Sequence, residues 1–453
     1  MKAGLNEKEK ERMFYKAQNP GTGKMWDVWM YHHAGTYYLY SLCGTDKAVG
    51  GGYNNISLAS SPDGVHWNEL GPVITVDALG GMGTGSTWRN PVETGKPRFQ
   101  MNYSLSDGGP QRIFFAQSDD LIHWNKCDKG REFVQDERWY DPKGRWDCIW
   151  AIPRPGGGYY GYWTATPKKQ EVGGPRFGFG ESLNGMTWKA LEPPRVEGIG
   201  DGEVGAVAKI ADKYIMLFAL FYEDRSMHTL IADNPQGPFK VATKNRVSLS
   251  GHTYFARFFP SPSGLLVCHQ SIARDWQVSV GLLKGTRFDA DGALRLTWWL
   301  GNEALKHEAV KMPPMATGGD GPIRMMSNPF DITAGLLLEC ELRLPKSLGA
   351  PRGLYIEHGK GVGTAIVFNY NGRAEFGQVA EDGSGFTVEK IVDRETLYGD
   401  PARLRLILEG VLLETYLDDI LIECYSLPAP ATGRIGLISD SHDNVFSELK
   451  AWK

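Results

Sequence analysis

Apolar and polar residues alternate in short stretches along roughly the first two thirds of the chain. The clearest examples are VWMYHHAGTYYLYSL, PRFQMNYSL, IWAIPRPGGGYYGYWTA, VGAVAKIADKYIMLFAL and ARFFPSPSGLLVCHQSI. Alternation over four to eight residues, interrupted by Gly, Pro or Asp, indicates half-buried β-strands joined by tight turns. Helical periodicity is nearly absent, so the pattern predicts an all-β protein.

A repeat follows these stretches. SSPDGVHWNEL, AQSDDLIHWNKC, GESLNGMTWKAL and IADNPQGPFKVA each place a polar turn between a strand and an aromatic residue that opens the next strand. The aromatics are Trp67, Trp124, Trp188 and Phe239, which are 57, 64 and 51 residues apart, and a weaker fifth copy ends near Phe288. Four-stranded units at this period predict a five-bladed β-propeller. A β-sandwich whose turns resemble one another by chance is the alternative.

The sequence changes character at KMPPMATGGDGP, a Pro- and Gly-rich connection. Beyond it, segments such as LLLECELRLP, GLYIEHG and TAIVFNY are short strands with turns, which predicts a C-terminal β-sandwich. The predicted domains are therefore a propeller over 1–310 and a sandwich over 311–453. A structural role is expected for the sandwich, with sugar binding or homo-oligomer formation as alternatives, and Asp418 and Asp419 are expected to form a hairpin turn.

Three carboxylates occupy equivalent places in this repeat. Asp27, Asp147 and Glu203 lie 40, 41 and 36 residues before the repeat aromatics of the first, third and fourth units. A single Asp or Glu at a strand start is more often a turn or capping residue. In a propeller, however, the first strand of every blade lines the central channel, so equivalent strand starts converge at one mouth. The coincidence across three units therefore predicts a carboxylate site.

Such a site suits glycoside cleavage. The reaction needs an acid that protonates the departing oxygen and a carboxylate that attacks the anomeric carbon or activates water. Crowded carboxylates raise the proton affinity of at least one of them, and a third, ionised carboxylate stabilises the developing positive charge.

Aromatic and cationic residues near the three acids are candidate substrate contacts. A tryptophan at a blade edge is as often a packing residue as a platform for a sugar ring, and His252 is predicted to form hydrogen bonds rather than to bind a metal. The candidates are Trp26, Trp29, Trp88, Arg89, Arg145, Trp146, His252 and Arg257.

With these motifs in place, the sequence resembles the five-bladed propeller glycosidases, and most closely the family-32 glycoside hydrolases. The resemblance implies that Asp27 in MWDVWMYHH is the nucleophile, that Asp147 in RWDCIW stabilises the transition state, and that Glu203 in DGEVG is the acid/base. It also implies that Ser86 in TGSTWR belongs to the pocket wall and that HTYFARFF, which contains Tyr254, is the aromatic segment of the fifth blade. The implied activity is retaining hydrolysis of a fructofuranoside-like or related small glycan.

Several positions depart from the family pattern. No Pro-Asn-Gly follows Asp27, Trp146 separates Arg145 from Asp147, and Cys148 stands where the family has Pro. Three alternatives therefore stay open. They are an inverting family-43-like arabinofuranosidase or xylosidase, a non-catalytic carbohydrate-binding propeller, and a protein-interaction platform, which fits the clustered acids least well.

Composition narrows the partners further. The net charge of −4, with 42% hydrophobic and 23% charged residues, gives no electrostatic footprint for nucleic acid or an anionic membrane. No apolar run approaches the roughly 18 residues of a membrane span, and the charged N-terminus lacks the apolar core of a signal peptide. The six cysteines show no CxxC pair and are predicted to be reduced core residues. A cytoplasmic location is expected, or secretion if a leader has been removed, and no cofactor or metal is predicted.

Overall fold

The computed structural model describes most of the chain in two compact units. It describes residues 12–18, 23–44, 52–76, 81–92, 95–106, 108–127, 130–169, 177–220, 227–246, 249, 251–289, 292–316, 321–346, 351–394, 398–439 and 445–453. The larger unit comprises Lys16–Gln270 and Val278–Leu294, and the smaller one comprises Arg295–Lys453, Ser271–Gln277 and the described residues before Lys16. Residues 295–310, which the sequence assigned to the first domain, thus cluster with the second unit. The N-terminal residues 1–11 and part of the Pro/Gly-rich connection, 317–320, lie outside the described residues.

The larger unit consists of consecutive antiparallel sheets. The first contains β1 (Lys24–His33), β2 (Thr36–Gly44), β3 (Asn55–Ser61) and β4 (Asn68–Thr75), and the second contains β5 (Met82–Arg89), β6 (Phe99–Leu105), β7 (Arg112–Ser118) and β8 (Asn125–Lys126). The third contains β9 (Trp146–Pro153), β10 (Tyr159–Ala165), β11 (Phe177–Ser182) and β12 (Lys189–Leu191). The fourth contains β14 (Gly202–Ile210), β15 (Lys213–Leu220), β16 (Met227–Ala232) and β17 (Phe239–Arg246), with β13 (Val196–Glu197) parallel to β17. In the fifth, β18 (Thr253–Ser261), β19 (Gly264–Ile272) and β21 (Lys284–Phe288) are paired in order, and β20 (Val278–Val280) pairs with β19.

The first strands of these five sheets form a closed ring. Strand β1 packs against β5, β5 against β9, β9 against β14, β14 against β18, and β18 returns to β1. The residues that begin these strands are thereby brought around one axis, although they are up to about 230 residues apart in sequence.

Apolar cores lie between neighbouring sheets. Trp29 and Tyr40 of the first sheet share a buried cluster with Met101 of the second, while Trp88 of the second sheet is buried with Trp163 of the third. Because both faces of an inner sheet are covered, its strands are buried almost throughout, as β15 shows. The alternation visible in the sequence therefore marks which neighbouring sheet a side chain packs against.

The sequence repeat is a repeated hydrogen-bonded turn. The hydroxyl of Ser61 accepts a bond from the backbone N–H three residues later, and Asp63 Oδ1 accepts from two further N–H groups. The pairs Ser118/Asp120 and Ser182/Asn184 reproduce the same bonds. Side-chain oxygens that satisfy the turn backbone explain why Ser and Asp or Asn recur at these positions.

The smaller unit contains two sheets that enclose one apolar core. In one, the order is β22 (Leu294–Trp298), β32 (Ile420–Ser426), β31 (Leu412–Leu417), β30 (Ala402–Glu409), β25 (Leu336–Leu342), β34 (Phe446–Trp452) and β23 (Ala309–Val310). In the other it is β24 (Ile323–Met325), β33 (Ile435–Ile438), β26 (Arg352–Gly359), β27 (Val362–Phe368), β28 (Ala374–Ala380) and β29 (Thr387–Val392). The core combines leucines of β25 and β30 with apolar residues of β26 and β27. Asp418 and Asp419 form the two-residue turn between β31 and β32, with φ of 45° and 65°.

Helix is almost absent, as predicted. Over the described residues, the only helix is a short 3₁₀ helix, Leu300–Leu305. All six cysteines are free thiols, and none of the described helices is long and apolar enough to cross a bilayer.

Candidate active site

The three predicted carboxylates begin three strands of the ring. Asp27 is the fourth residue of β1, and Asp147 and Glu203 are the second residues of β9 and β14. All three line one cleft of about 380 Å³ in the larger unit. The predicted convergence of these side chains is therefore observed.

Each of these strand starts carries a β-bulge. Asp27 is the extra residue of β1, since Trp26 pairs with Leu42 and Val28 with Ser41. In β9 two residues, Cys148 and Ile149, stand opposite a single residue of β10, and β14 and β5 have equivalent irregularities next to the cleft. A bulge bends its strand and redirects the neighbouring side chains, which allows the carboxylates to point at the axis rather than into the packed sheets.

Arg145 joins two of the acids. Its Nη2 donates to Asp147 Oδ2 at 2.9 Å and to Glu203 Oε1 at 2.5 Å. The second oxygen of Glu203, Oε2, accepts a hydrogen bond from the Tyr254 hydroxyl at 2.6 Å. Burial lowers the pKa of Arg145, but Asp147 and Glu203 outweigh it and raise that pKa above its ordinary value.

Hydrogen bonds from residues of the second sheet hold the Asp147 carboxylate in place. Its Oδ1 accepts a hydrogen bond from the Ser104 hydroxyl, and Gln111 Nε2 donates to Ser104 Oγ at 3.0 Å. The other end of the Gln111 amide accepts from the Trp146 backbone N–H at 3.1 Å. Asp147 therefore has both carboxylate oxygens occupied by donors.

Asp27 has a different environment. Only 9% of the residue is exposed, and its Oδ1 is buried without a hydrogen-bond partner among the described residues. Burial, followed by the negative charge of Glu203, raises the pKa of Asp27 to about 8, although Arg257 opposes the shift. Its backbone is held by Gln270, whose amide, oriented to satisfy both groups, accepts from Asp27 N and donates to Tyr254 O, each at 2.7 Å.

Arg257 lies beneath the cleft rather than in it. The residue is fully buried, and its Nη2 contacts Thr84 Oγ1 at 3.4 Å and Cys148 Sγ at 3.3 Å. The guanidinium also stacks over the Phe255 ring at 4.7 Å. Arg257 is therefore not among the residues that line the cleft, and its effect on the site is the positive charge that it places near Asp27.

Other predicted contacts are also displaced from the cleft. Trp29, Trp88 and Trp146 are buried among aromatic neighbours, and their indole N–H groups donate to Thr87, to Gln100 and to the Phe133 carbonyl. Such rings have no exposed face for a sugar, and none of the three lines the cleft.

Ser86 and Arg89 also lie outside the cleft lining, each for a different reason. Ser86 is buried, and its hydroxyl donates to the backbone carbonyl of Ile149. Arg89 is exposed at the end of β5 opposite to Met82, which lines the cleft, and seven residues of strand correspond to roughly 23 Å. Neither residue lines the cleft.

The remaining candidates are near the acids. Trp26 lines the cleft with its ring centroid 5.9 Å from that of Tyr254, which also lines it. His252 is half-buried, precedes Tyr254 by two residues, and is not part of the cleft lining. Among the described residues, the three cleft carboxylates do not form a metal-binding cluster.

Sequence reasoning missed several neighbours of the acids. They are Leu42, Tyr53, Met82, Gly83, Thr84 and Leu220 in the lining, with Ser104, Gln111 and Gln270 behind it. One signal was available, because Thr84 lies 40 residues before the second repeat aromatic and so matches the carboxylate position of the other units. The hydrogen-bonding partners carry no such signal, since Ser104 lies in the second strand of its sheet and Gln111 directly precedes the third.

The fold is shared with solved family-32 structures. The chain is similar to the GH32 β-fructofuranosidase of Bombyx mori, with a TM-score of 0.70, 13% identity, and coverage of 98% of this chain and 94% of that one. It is also similar to the sucrose-6-phosphate hydrolase of Lactobacillus gasseri, with a TM-score of 0.70, 17% identity, and coverage of 97% and 92%. A third similar structure is the fructan 1-exohydrolase IIa of Cichorium intybus in complex with 1-kestose, with a TM-score of 0.69, 15% identity, and coverage of 98% and 97%. No protein-family model matches the sequence, and a search of curated proteins gives no significant match.

Proposed function

We propose that this protein is a glycoside hydrolase that cleaves a furanoside, of fructofuranoside type or a related small glycan. The observation that carries the proposal is the convergence of Asp27, Asp147 and Glu203 in one cleft that also contains Arg145. The likeness in fold to fructofuranosidases and a fructan exohydrolase supports the substrate class. A family-43 template is not needed to account for the fold.

The architecture proposed with this function is a five-bladed β-propeller followed by a β-sandwich. The closed ring of five first strands supports the number of blades, because each blade contributes one strand to the central channel. Under this arrangement the cleft is the mouth of the channel, and the bulged strand starts form its wall.

The roles proposed for the acids follow from a retaining mechanism. Asp27 attacks the anomeric carbon while the glycosidic C–O bond breaks, and Glu203 gives its proton to the departing oxygen. Water then releases the sugar from Asp27, with Glu203 now accepting a proton. Asp147 stays ionised, held by Ser104 and Arg145, and stabilises the positive charge that develops on the sugar ring.

Two further residues are proposed to position the substrate. Trp26 offers an apolar ring at the cleft wall against which a sugar face can pack. Arg145 has donors on a guanidinium that already spans two of the acids, so it is placed to bind a sugar hydroxyl between them.

The second candidate function is carbohydrate binding without hydrolysis. The observation that favours it is the burial of Asp27, whose Oδ1 has no hydrogen-bond partner among the described residues. Burial and the charge of Glu203 raise the pKa of Asp27 to about 8, which makes it a poor nucleophile at neutral pH. This protein would then bind a glycan in the same cleft and release no sugar.

A substrate screen with stereochemical readout tests these candidates. Purified protein is incubated with sucrose, short fructans, and aryl fructofuranosides, arabinofuranosides and xylosides, and the first-formed anomer is followed by NMR. A furanoside cleaved with retention supports the proposal, whereas inversion transfers it to a family-43-like mechanism with Asp27 as general base. Glu203→Gln should abolish cleavage of poor leaving groups, while Glu137→Gln, which changes an exposed glutamate, serves as the matched control. Binding of a glycan without cleavage of any substrate would instead support carbohydrate binding without hydrolysis.

A further inference from the structure

Glu203 has a hydrogen-bond partner at each of its carboxyl oxygens. Both of its oxygens accept bonds, Oε1 from the Arg145 guanidinium and Oε2 from the Tyr254 hydroxyl. Arginine can only donate, so Oε1 carries no proton, and the Tyr254 hydroxyl lies within donating distance of Oε2. An arginine at one oxygen and a hydroxyl at the other are partners that suit a carboxylate.

Asp147 also has a hydrogen-bond partner at each of its carboxyl oxygens. Its Oδ1 accepts from the Ser104 hydroxyl and its Oδ2 accepts from Arg145. Two of the three acids thus have a hydrogen-bond partner at each carboxyl oxygen, and Arg145 is the charged donor to both.

Asp27 is the acid that lacks such donors. Its Oδ1 has no hydrogen-bond partner among the described residues, and it shares its surroundings with the two anions. The other charged or titratable groups that face it from neighbouring strands are Arg145 of the third sheet, Arg257 and Tyr254 of the fifth, Tyr53, and Cys148. Arg145 and Arg257 supply two positive charges, which the carboxylates of Asp147 and Glu203 already balance.

We propose that the free cleft holds one proton, that this proton resides on Asp27, and that Tyr254 keeps it there by holding Glu203 as an anion. The proposal rests on the proposed function only for its catalytic consequence. A retaining cleavage needs the opposite arrangement, with Asp27 ionised and Glu203 protonated. The proton must therefore leave Asp27 and one must be taken up by Glu203 before attack, which leaves the charge of the pair at −1.

Tyr254 is a positioning residue in this scheme. A glycoside hydroxyl that takes the Tyr254 hydrogen bond would withdraw one donor from Glu203 and raise its affinity for the proton. Binding of substrate would thus create the reactive arrangement, and the empty cleft would hold Asp27 in its unreactive, neutral form.

The proton can be located directly by 13C NMR of protein labelled at the side-chain carboxyl carbons of Asp or of Glu. The resonances that disappear in Asp27→Asn and in Glu203→Gln identify the two groups. At about pH 6.5, where an ordinary carboxyl is ionised, we expect the Asp27 carbon to show the protonated shift and the Glu203 carbon the ionised one. The reverse assignment in the free wild-type protein would overturn the proposal.

Variants test the part assigned to Tyr254. Tyr254→Phe should move the Asp27 carbon towards its ionised shift at the same pH, because Glu203 then competes better for the proton. Tyr370→Phe removes an exposed hydroxyl in the smaller unit and should leave both carbons unchanged. Equal spectra for the two variants would contradict the role of Tyr254.

A further variant keeps the test decisive if Tyr254→Phe does not fold. Glu203→Gln removes the anion that faces Asp27, so the titration of Asp27 should move to lower pH. An unmoved titration would count against the coupling of the two acids. If the spectra agree with the proposal but no glycoside is cleaved, the proton assignment stands and the proposed hydrolase function fails.

Discussion

Gly83 lies directly against Asp147. A Cβ atom added at position 83 would be 2.7 Å from Asp147 Oδ1 and would also collide with the Ser104 hydroxyl that holds this carboxylate. The second sheet therefore contributes no acid to the cleft, but it provides the space and the hydrogen bond that fix the acid of the third sheet.

Gly83→Ala should impair activity more than stability. The added methyl group forces Asp147 away from Ser104, and a displacement of about 1 Å at a reacting centre costs on the order of 100-fold in rate. We expect kcat/KM to fall by at least about 10-fold with a melting temperature close to that of the wild type. Gly81→Ala is the control, because a Cβ at position 81 meets no atom within 4 Å. Equal activity of the two variants would show that the exact position of Asp147 is unimportant.

Arg145→Lys should lower activity although the substitution keeps the positive charge. A lysine ammonium is a point charge without the planar array of donors with which Arg145 reaches Asp147 and Glu203 together. We expect kcat/KM to fall by about 10- to 100-fold, corresponding to about 1.4 to 2.7 kcal/mol. Arg138→Lys, at an exposed arginine paired with Asp136, gives the comparison. A fully active Arg145→Lys protein would mean that charge alone suffices.

The pH profile of kcat/KM should end in a limb assigned to Asp27. The reactive pair needs one proton in total, and the pKa of Asp27 is raised to about 8 by burial and by Glu203. Activity should therefore fall as the pH rises through about 8, when the pair loses its last proton. If kcat/KM instead rises through this pH, the proton on Asp27 only blocks the nucleophile and is not the proton that the cleavage requires.

Asp27→Asn should stabilise the protein at alkaline pH. Between its ordinary pKa of 3.8 and the folded value of about 8, the folded protein binds more protons at Asp27 than the unfolded chain does. The free energy of unfolding of the wild type therefore decreases as pH rises through this window, by at most about 6 kcal/mol. The melting temperature of Asp27→Asn should exceed that of the wild type at pH 8 and approach it at pH 4. Asp212→Asn, at an exposed carboxylate, should show no such dependence.

Trp26 and Trp29 should respond differently to truncation. Trp29 is fully buried against Tyr40, so Trp29→Ala should cost about 3–5 kcal/mol of folding free energy. Trp26 lines the cleft, so Trp26→Ala should mainly raise KM. Denaturant unfolding and steady-state kinetics of both variants separate these effects, and a stability loss of similar size in both would contradict the distinction.

Much of this molecule could be predicted from local sequence. Alternating residues predicted strands because each strand of an inner sheet packs against neighbours on both faces. The recurring Ser and Asp or Asn predicted the repeat because their side chains bind the turn backbone within a few residues. The similar spacing of Asp27, Asp147 and Glu203 from their repeat aromatics, 40, 41 and 36 residues, predicted that the three acids converge in one cleft.

The surroundings of the acids could not be predicted in this way. Trp26 and Trp29 are three residues apart, which in a regular strand would place them on opposite faces, but the bulge at Asp27 puts them opposite Leu42 and Tyr40, two positions apart on one face of β2. Whether a strand bulges depends on its pairing with the next strand, which no local pattern records.

The sequence by itself determined the strands, the repeated turns and the identity of the three acids, because these depend on contacts within a few residues or on a fixed period. Only the tertiary structure decided which acids have hydrogen-bond partners at both oxygens and which has an oxygen without one among the described residues. The donors to Glu203 and Asp147 come from Tyr254 and Ser104, about 50 and 40 residues away in sequence, on strands that only the closed ring brings together. Protonation follows from burial and from neighbouring charges, and both are properties of the assembled cleft.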